Sequence, residues 1–210
     1  MVDFYVFDLD GTLIDTIGGI ALALNNTLEH FSYPYHYSDI EVKAMVGHGA
    51  KQLFKTGTKK DVININEYNY FNIQYVICQR IAKVFPKVEE TLRLLNRKGA
   101  RLLIYSNKPD GALQFLIKEK LPDIDFALIQ GHTEDFKLKP DASFLLKKIT
   151  ELGLKGKEGY YVGDSAVDVA TARNAHLKSI IVTYGYGNLV DIKNSKPNYI
   201  IDNFDTILKL

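Results

Sequence analysis

Two carboxylates stand where an apolar stretch ends near the start of the chain. Asp8 and Asp10 follow residues 4–7 and precede Gly11, a pattern that indicates a buried strand ending in a polar loop. Asp and Gly are also common turn formers, so the pair alone is consistent with a simple turn. Asp8 nevertheless belongs to the apolar stretch, where an unpaired carboxylate is costly to desolvate. A reactive or metal-binding pair therefore explains these residues better than a turn does.

A second pair of carboxylates follows another apolar stretch. Asp164 and Asp168 are four residues apart at the predicted start of a helix, so we expect them to share one face of that helix. Asp164 alone could be a plain helix cap. If this pair meets Asp8 and Asp10 in a small volume, the repulsion among four carboxylates requires a cation. Ligands that offer only oxygen favour Mg²⁺.

Polar and basic residues also occur at the predicted starts of two further helices. Ser106 and Asn107 end an apolar stretch and precede Pro109. Such residues are ordinary in turns and helix caps, but a hydroxyl, an amide and the N–H groups of a new helix also bind phosphoryl oxygens. Lys139 and Pro140 are predicted to start another helix, where a cation opposes the helix dipole. Balancing a phosphate and the acidic residues is a better reason for that lysine.

The elements that must position these residues alternate between apolar strands and helices. The strands are predicted at 2–7, 101–106, 126–130, 159–162, 179–183 and 199–201. This alternation is typical of a parallel sheet covered by helices on both faces, and ligands bind at the carboxyl ends of such strands. We therefore expect an α/β fold with a doubly wound, Rossmann-like core.

Residues 16–84 show helical patterns only and would be inserted after the first strand. The first helix begins after Asp15 or Thr16, and the second opens at the capping box of Ser38 and Glu41. A third helix is predicted from 67 to 85, where Pro86 stops it. The expected division is a catalytic core of 1–15 and 85–210 and an all-helical cap domain of 16–84.

The composition excludes several classes of protein. Of 210 residues, 46% are hydrophobic and 24% are charged, as in ordinary globular proteins. The formal charge of +1 gives no overall attraction to nucleic acid or to an anionic membrane. The single cysteine, Cys78, suits a reducing compartment. We expect a cytoplasmic monomer or homodimer with no nucleic-acid or membrane partner.

Together, the motifs resemble those of the haloacid dehalogenase superfamily, and within it the phosphoglycolate phosphatase-like members with a helical cap. The resemblance covers the whole chain and rests on four motifs in order: Asp8-Leu-Asp10-Gly-Thr12-Leu, Ser106-Asn107, Lys139-Pro140 and Gly163-Asp164-Ser-Ala-Val-Asp168. Lys137 is a rival for the third motif, but Lys139 directly precedes proline, as in the family. His176 stands where related sequences usually have glycine, so we expect some strain there.

The resemblance implies a phosphatase that acts on a small phosphorylated metabolite, with Asp8, Asp10 and Lys139 as catalytic residues. Asp8 would be the nucleophile that forms an aspartyl-phosphate, and Asp10 would act as acid and then base. The implied ligands of Mg²⁺ are Asp8, the backbone carbonyl of Asp10, Asp164 and Asp168. The groups implied to bind the phosphoryl oxygens are Thr12, Ser106, Asn107 and Lys139, of which Lys139 would also pair with Asp8.

The helical segment would select the substrate. The stretch 47–51 is the best candidate for a loop facing the site, because glycines permit a close approach of the backbone. We expect Gly47, His48, Gly49 and Lys51 to contact the substrate. A turn between helices with solvated charges explains the same stretch about equally well.

Other functions use a similar set of residues. A pyrophosphatase or nucleotidase of the same family fits the motifs, and a phosphomutase resembling β-phosphoglucomutase would return the phosphoryl group to a bound sugar phosphate. A receiver-like switch also places an aspartate, a hydroxyl and a lysine around Mg²⁺. The long helical insertion and Asp10 argue against the switch. Asp10 also argues against dehalogenation, because cleavage of a carbon–halogen bond requires no proton for the leaving group.

Overall fold

The computed structural model describes residues 2–210, so Met1, at the start of the predicted core, lies outside the described residues. The strands are β1 (Phe4–Phe7), β2 (Ile14–Asp15), β3 (Lys83–Val84), β4 (Arg101–Pro109), β5 (Phe126–His132), β6 (Gly159–Gly163), β7 (Lys178–Val182) and β8 (Tyr199–Ile201). The α-helices are α1 (Ile17–His30), α2 (Asp39–Lys43), α3 (Ala50–Thr58), α4 (Ile65–Ile77), α5 (Val88–Arg97), α6 (Asp110–Lys120), α7 (Ser143–Glu151), α8 (Ala166–Asn174) and α9 (Leu189–Asn194). Short 3₁₀ helices follow α4 (Cys78–Ile81) and β8 (Phe204–Lys209).

Six parallel strands form the central sheet in the order β5-β4-β1-β6-β7-β8. Strand β1 is buried along its whole length, and its alternating side chains point to opposite faces of the sheet. Tyr5 and Phe7 join one hydrophobic cluster, whereas Phe4 and Val6 join another. The predicted α/β fold, a doubly wound parallel sheet, is confirmed. Strand β1 lies between β4 and β6, so its carboxyl end is the centre of the sheet edge.

Helices α1 to α4 pack around a hydrophobic cluster of their own. Its buried residues include Ile20, Leu24, Phe54 and Phe71, and Ala112 of α6 packs against them. The short strands β2 and β3 pair antiparallel where the chain enters and leaves this helical region. The assignment of 16–84 as a separate cap domain stays a prediction. Within the described part of the chain, the helices are too short or too polar to cross a membrane.

The helical region differs in detail from the sequence prediction. The third predicted helix is α4, which ends at Ile77 rather than near Pro86. Residues after the 3₁₀ turn extend as β3 because Val84 and Lys83 pair with Ile14 and Asp15. The stretch from 38 to 58 contains two helices, α2 and α3, where one was predicted. Gly49 stands before α3 with φ of 83°, a conformation that favours glycine.

Two predicted helix starts in the core also move. Strand β4 continues through Asn107 and Lys108, so that α6 begins at Asp110. Helix α7 begins at Ser143, whereas Lys139 precedes a cis peptide bond to Pro140 in the loop before it. The dipole of α7 therefore does not oppose Lys139 in the way that the predicted helix start implied. His176 has φ of 57°, which matches the strain expected where relatives have glycine.

Candidate active site

Asp8 occupies the centre of the sheet edge, directly after β1. Its backbone N–H donates to the carbonyl of Val162 on β6 (2.9 Å), and its Oδ2 lies 2.9 Å from Lys139 Nζ. The other carboxylate oxygen, Oδ1, is buried and has no hydrogen-bond partner among the described residues. Burial raises the pKa of the Asp8 carboxyl to about 6, although Lys139 opposes the shift. One oxygen of this carboxylate is thus open to a ligand.

Lys139 links the two acidic motifs. Its Nζ lies 2.7 Å from Asp168 Oδ1 and 2.9 Å from Asp8 Oδ2, and its side chain is 3% exposed. Burial disfavours the ammonium, but Asp168 and Asp8 raise the pKa of Lys139 well above its usual range. Asn107 fixes the loop, since its Oδ1 accepts from the backbone N–H of Lys139 (2.7 Å). Ion pairing, rather than a helix start, thus accounts for the position of this lysine.

Asp168 is held in place by its own helix. Its Oδ2 accepts hydrogen bonds from the backbone N–H of Asp164 (3.2 Å) and from the N–H (3.0 Å) and hydroxyl (2.6 Å) of Ser165, in a capping box at the start of α8. Its Oδ1 is taken by Lys139. Both oxygens are therefore engaged, and Asp168 orients Lys139 and the loop at Asp164.

Asp164 precedes α8 and is also buried. Its Oδ2 accepts the backbone N–H of Tyr186 (2.6 Å), and its Oδ1 lies 3.4 Å from the hydroxyl of Thr12. Burial, together with Asp168 and Asp8, raises the pKa of Asp164 to about 8. Glycines surround this carboxylate because a Cβ on Gly11, which has φ of 78°, or on Gly185 would collide with it. The fold thus keeps a buried carboxylate in a tight backbone cradle.

The acidic residues fit a divalent cation. One carboxylate oxygen from each of Asp8, Asp164 and Asp168 lies within 4.8 Å of the other two, although both oxygens of Asp168 already accept hydrogen bonds. The raised pKa values of Asp8 and Asp164 show that the group resists carrying its full negative charge without a counter-ion. The open Oδ1 of Asp8 is the further observation that favours a ligand here. Oxygen donors of this kind suit Mg²⁺.

Asp10 lies at the opening of the site. Its Oδ1 accepts from the hydroxyl of Thr16 (2.7 Å) and from Lys108 Nζ (3.0 Å). Lys108 was not predicted as a site residue, although it directly follows Ser106 and Asn107. Because β4 continues past those residues, this lysine is carried into the site, where burial lowers its pKa. The sequence does contain a signal for Lys108, because this charged residue directly follows the predicted site residues Ser106 and Asn107.

A cavity of about 80 Å³ lies over these groups. The predicted core residues on its wall are Asp8, Asp10, Ser106, Asn107, Lys139 and Asp164. Thr12 and Asp168 lie behind the wall, and the hydroxyl of Thr12 faces Asp164. Residues to which the sequence assigned no role also line the cavity: Lys43, Val46, Ala50, Leu53, Tyr75, Lys108, Ser165, Val167, Tyr186 and Gly187. Ser165 and Val167 belong to the fourth motif and Ala50 to the stretch 47–51, whereas the other residues lie outside the motifs quoted above.

The predicted cap loop divides into two parts. Gly47 and Gly49 line the cavity, and the carbonyl of Gly47 accepts from Asn107 Nδ2 (2.9 Å). His48 and Lys51 instead line a neighbouring groove, where Lys51 Nζ pairs with Glu134 (2.7 Å). The loop thus presents its backbone to the cavity. The predicted contacts of the His48 and Lys51 side chains with substrate find no support in this geometry.

Tyr186 connects the site with the entry to the helical region. Its hydroxyl accepts from the backbone N–H groups of Thr16 (2.7 Å) and Ile17 (3.0 Å) and donates to Asp15 (2.8 Å). Its own backbone N–H is bound by Asp164. The start of α1, which lacks a side-chain cap from Thr16, is therefore capped from the loop after β7.

The arrangement matches a known family. The model of the haloacid dehalogenase-like hydrolases matches residues 5–182, and the chain belongs to that family. The four motifs found in the sequence fall within this match. The predicted class, a phosphatase of the haloacid dehalogenase superfamily, is confirmed by the relatives that follow.

Curated relatives extend over nearly the whole chain. A phosphoglycolate phosphatase of Haemophilus influenzae is 28% identical over 97% of this chain and 96% of its own length. Phosphoglycolate phosphatase 1 of Pseudomonas aeruginosa is 30% identical over 97% of this chain and 77% of its own length. A crystal structure of a predicted phosphoglycolate phosphatase from Haemophilus somnus superimposes with a TM-score of 0.86, at 30% identity, over 99% of this chain and 97% of that one.

Proposed function

We propose that the enzyme is a Mg²⁺-dependent phosphomonoester hydrolase that works through an aspartyl-phosphate on Asp8. The observation that carries this proposal is the pairing at the sheet edge: one oxygen of Asp8 is held by Lys139, and the other is buried and has no hydrogen-bond partner within residues 2–210. A carboxylate fixed in this way is oriented for attack. Lys139 offsets the negative charge of the incoming phosphoryl group.

The reaction then divides into two displacements. In the first, a carboxylate oxygen of Asp8 attacks phosphorus, the bond from phosphorus to the ester oxygen breaks, and Asp10 gives its proton to the departing alkoxide. In the second, Asp10 takes a proton from water as the water oxygen attacks phosphorus. The bond from phosphorus to Asp8 breaks, which restores the carboxylate and releases inorganic phosphate. Asp10 ends with the proton that it needs for the next cycle.

The residues proposed to hold Mg²⁺ are Asp8, the carbonyl of Asp10 and Asp164, with Asp168 acting through Lys139 and the loop at Ser165. When bound, the cation would neutralise charge between the carboxylates and the phosphoryl group. The hydroxyl of Ser106 lines the cavity and would hold a phosphoryl oxygen. Asn107 already binds Gly47 and Lys139, so its proposed role is to position both, whereas Thr12 supports Asp164.

The proposed substrate is a small phosphorylated hydroxy acid such as 2-phosphoglycolate. Relatives of that name support the choice, and so does the small volume of the cavity. We further propose that 16–84 acts as a cap domain that covers the site, because its Gly47 and Gly49 form part of the wall. A cytoplasmic location and a monomeric or homodimeric state stay predictions from the sequence.

Release of inorganic phosphate from p-nitrophenyl phosphate tests the hydrolase proposal. We expect turnover with Mg²⁺ and none after chelation with EDTA. A panel of phosphoglycolate, pyrophosphate, nucleotides and hexose phosphates then compares kcat/KM values. Higher values for pyrophosphate or nucleotides would replace the proposed substrate, and conversion of a hexose phosphate to its isomer without release of phosphate would indicate a mutase. Absence of any Mg²⁺-dependent release would contradict the proposed function.

A further inference from the structure

A buried lysine on the wall of the cavity has no part in the two displacements. Lys108 is 2% exposed, and its Nζ lies 3.0 Å from Asp10 Oδ1. Lys139 already pairs with Asp8 and Asp168, so Lys108 is not needed to neutralise those two carboxylates. Burying an ammonium is costly, so its position is better explained by a ligand than by stability.

The surroundings of Lys108 leave donor capacity free. Its Nζ lies 4.6 Å from the centre of the Tyr75 ring, a cation–π contact that stabilises the charge. The hydroxyl of Tyr75 is 3.5 Å away, a long distance for a hydrogen bond. An ammonium has three N–H donors, and the contact with Asp10 uses one of them well. Lys108 lines the cavity, where a ligand would meet the remaining donors.

The neighbour of Lys108 fixes which part of a substrate it would meet. Asp10 must come within about 3 Å of the ester oxygen in order to protonate it. Lys108 is beside Asp10, so its ammonium lies next to the first atoms beyond that oxygen. Lys139, beside Asp8, serves the phosphoryl end instead. The two buried lysines therefore stand at opposite ends of the scissile bond.

We propose that Lys108 is a specificity-determining residue that binds a carboxylate carried by the leaving alcohol, one carbon away from the ester oxygen. The substrates that it selects are phosphomonoesters of short hydroxy acids. This inference rests on the proposed phosphatase function and assigns its selectivity to one side chain. Lys43 of α2 also lines the cavity, but its Nζ lies over the ring of Tyr186 (5.4 Å), whereas Asp10 pairs with Lys108.

The test compares two esters that differ in one group. Ethyl phosphate carries a methyl group where 2-phosphoglycolate carries a carboxylate. We expect Lys108→Met to lower kcat/KM for 2-phosphoglycolate by about 50-fold and for ethyl phosphate by less than about 5-fold. Each loss is taken relative to the wild type with the same ester, so the different leaving groups cancel. Equal losses for both esters, or no loss for either, would overturn the inference.

Two further variants make the result decisive. Lys43→Met removes the other lysine of the wall, and a selective loss in that variant instead of in Lys108→Met would assign the carboxylate to Lys43. Lys108→Gln provides the same comparison if the Met variant does not fold. If the wild type hydrolyses both esters and the Lys108 variants keep the wild-type ratio of the two kcat/KM values, this inference alone is overturned. A wild type that hydrolyses neither ester with Mg²⁺ would contradict the proposed function.

Discussion

The strand-end site and the loop 47–51 of the helical region both line the cavity, but they contribute different parts of the chain. At the strand ends, charged side chains are buried and paired, as Lys139 is with Asp8 and Asp168. In the loop, the backbone of Gly47 and Gly49 faces the cavity, whereas the charged Lys51 forms an exposed pair with Glu134. The strand ends thus bring charged side chains to the cavity, whereas the loop brings backbone.

From this contrast we expect the two regions to differ in how well they tolerate substitution. A buried ion pair that loses one partner leaves an uncompensated charge, whereas an exposed pair contributes little. The four predictions below test the contrast, starting with the change from which we expect the largest effect.

Asp8→Asn removes the proposed nucleophile and keeps the size of the side chain. We expect kcat to fall by at least about 10⁴-fold, because the first displacement has no attacking carboxylate. Steady-state release of phosphate measures the loss. A thermal unfolding curve like that of the wild type shows that the fold is intact. Turnover of phosphate esters by this variant with Mg²⁺ would disprove the role of Asp8.

Removal of Mg²⁺ should destabilise the protein in a pH-dependent way. Asp164 has a pKa raised from 3.8 to about 8, and Asp8 one raised from 3.8 to about 6, without metal. Between the ordinary pKa of 3.8 and these raised pKa values, the folded state binds more protons than the unfolded state. The free energy of unfolding therefore falls as pH rises from about 4 to 8. We expect saturating Mg²⁺ to raise Tm by about 5–10 °C at pH 8 and by less than half of that at pH 5.

The variant Asp164→Asn is the control for this measurement. It removes the carboxyl with the larger shift, so the pH slope between about 6 and 8 and most of the Mg²⁺ effect should disappear. An equal rise of Tm at pH 5 and pH 8 in the wild type would show that these carboxylates do not bind the cation.

Asn107→Ala tests the connection between the two regions. The change removes the hydrogen bond to the Gly47 carbonyl and leaves the buried N–H of Lys139 without its acceptor. We expect a loss of about 1–3 kcal/mol in the free energy of unfolding and a fall in kcat/KM of about 10-fold or more, because the lysine loses its position.

Asn96→Ala is the matched control. The side chain of Asn96 also donates one hydrogen bond to the backbone and accepts another, in this case both with Asp125 at an exposed site. The kcat/KM of Asn96→Ala should equal that of the wild type. If both variants lose stability alone, Asn107 serves folding and not the site.

Lys51→Met and His48→Ala should have the smallest effects. Both side chains line the neighbouring groove, so we expect kcat/KM to stay within about 3-fold of the wild-type value, as for an exposed salt bridge. Lys178→Met, which breaks another exposed pair with Glu158, is the comparison. A loss above about 10-fold in Lys51→Met alone would restore the role that the sequence suggested for this loop.

The strand-end site could largely be predicted, because it depends on residue type and on the ends of strands. Asp8, Asp10, Ser106 and Asp164 lie on the wall of one cavity, as their positions after predicted strands indicated. Parallel strands end at the same edge, so local patterns were enough. The helical region offered no such rule.

Two features of the site show where sequence reasoning stops. Lys108 was overlooked because the length of β4 depends on its pairing with β5, which local patterns do not reveal. His48 and Lys51 line a groove together with Leu138, which also lies against Gly49. Both features arise from contacts between segments that are distant in the sequence. Such contacts cannot be predicted from residue types and local patterns alone.

Tyr186 has a consequence for metal affinity. Its hydroxyl holds the start of α1 and its backbone N–H holds Asp164, so the entry to the helical region and a proposed metal ligand share one residue. Coupling between two such positions is reciprocal: if a cation at Asp164 favours one orientation of α1, that orientation raises the affinity for the cation by the same factor. An ester that draws the helical region onto the cavity would then tighten the cation in the same step.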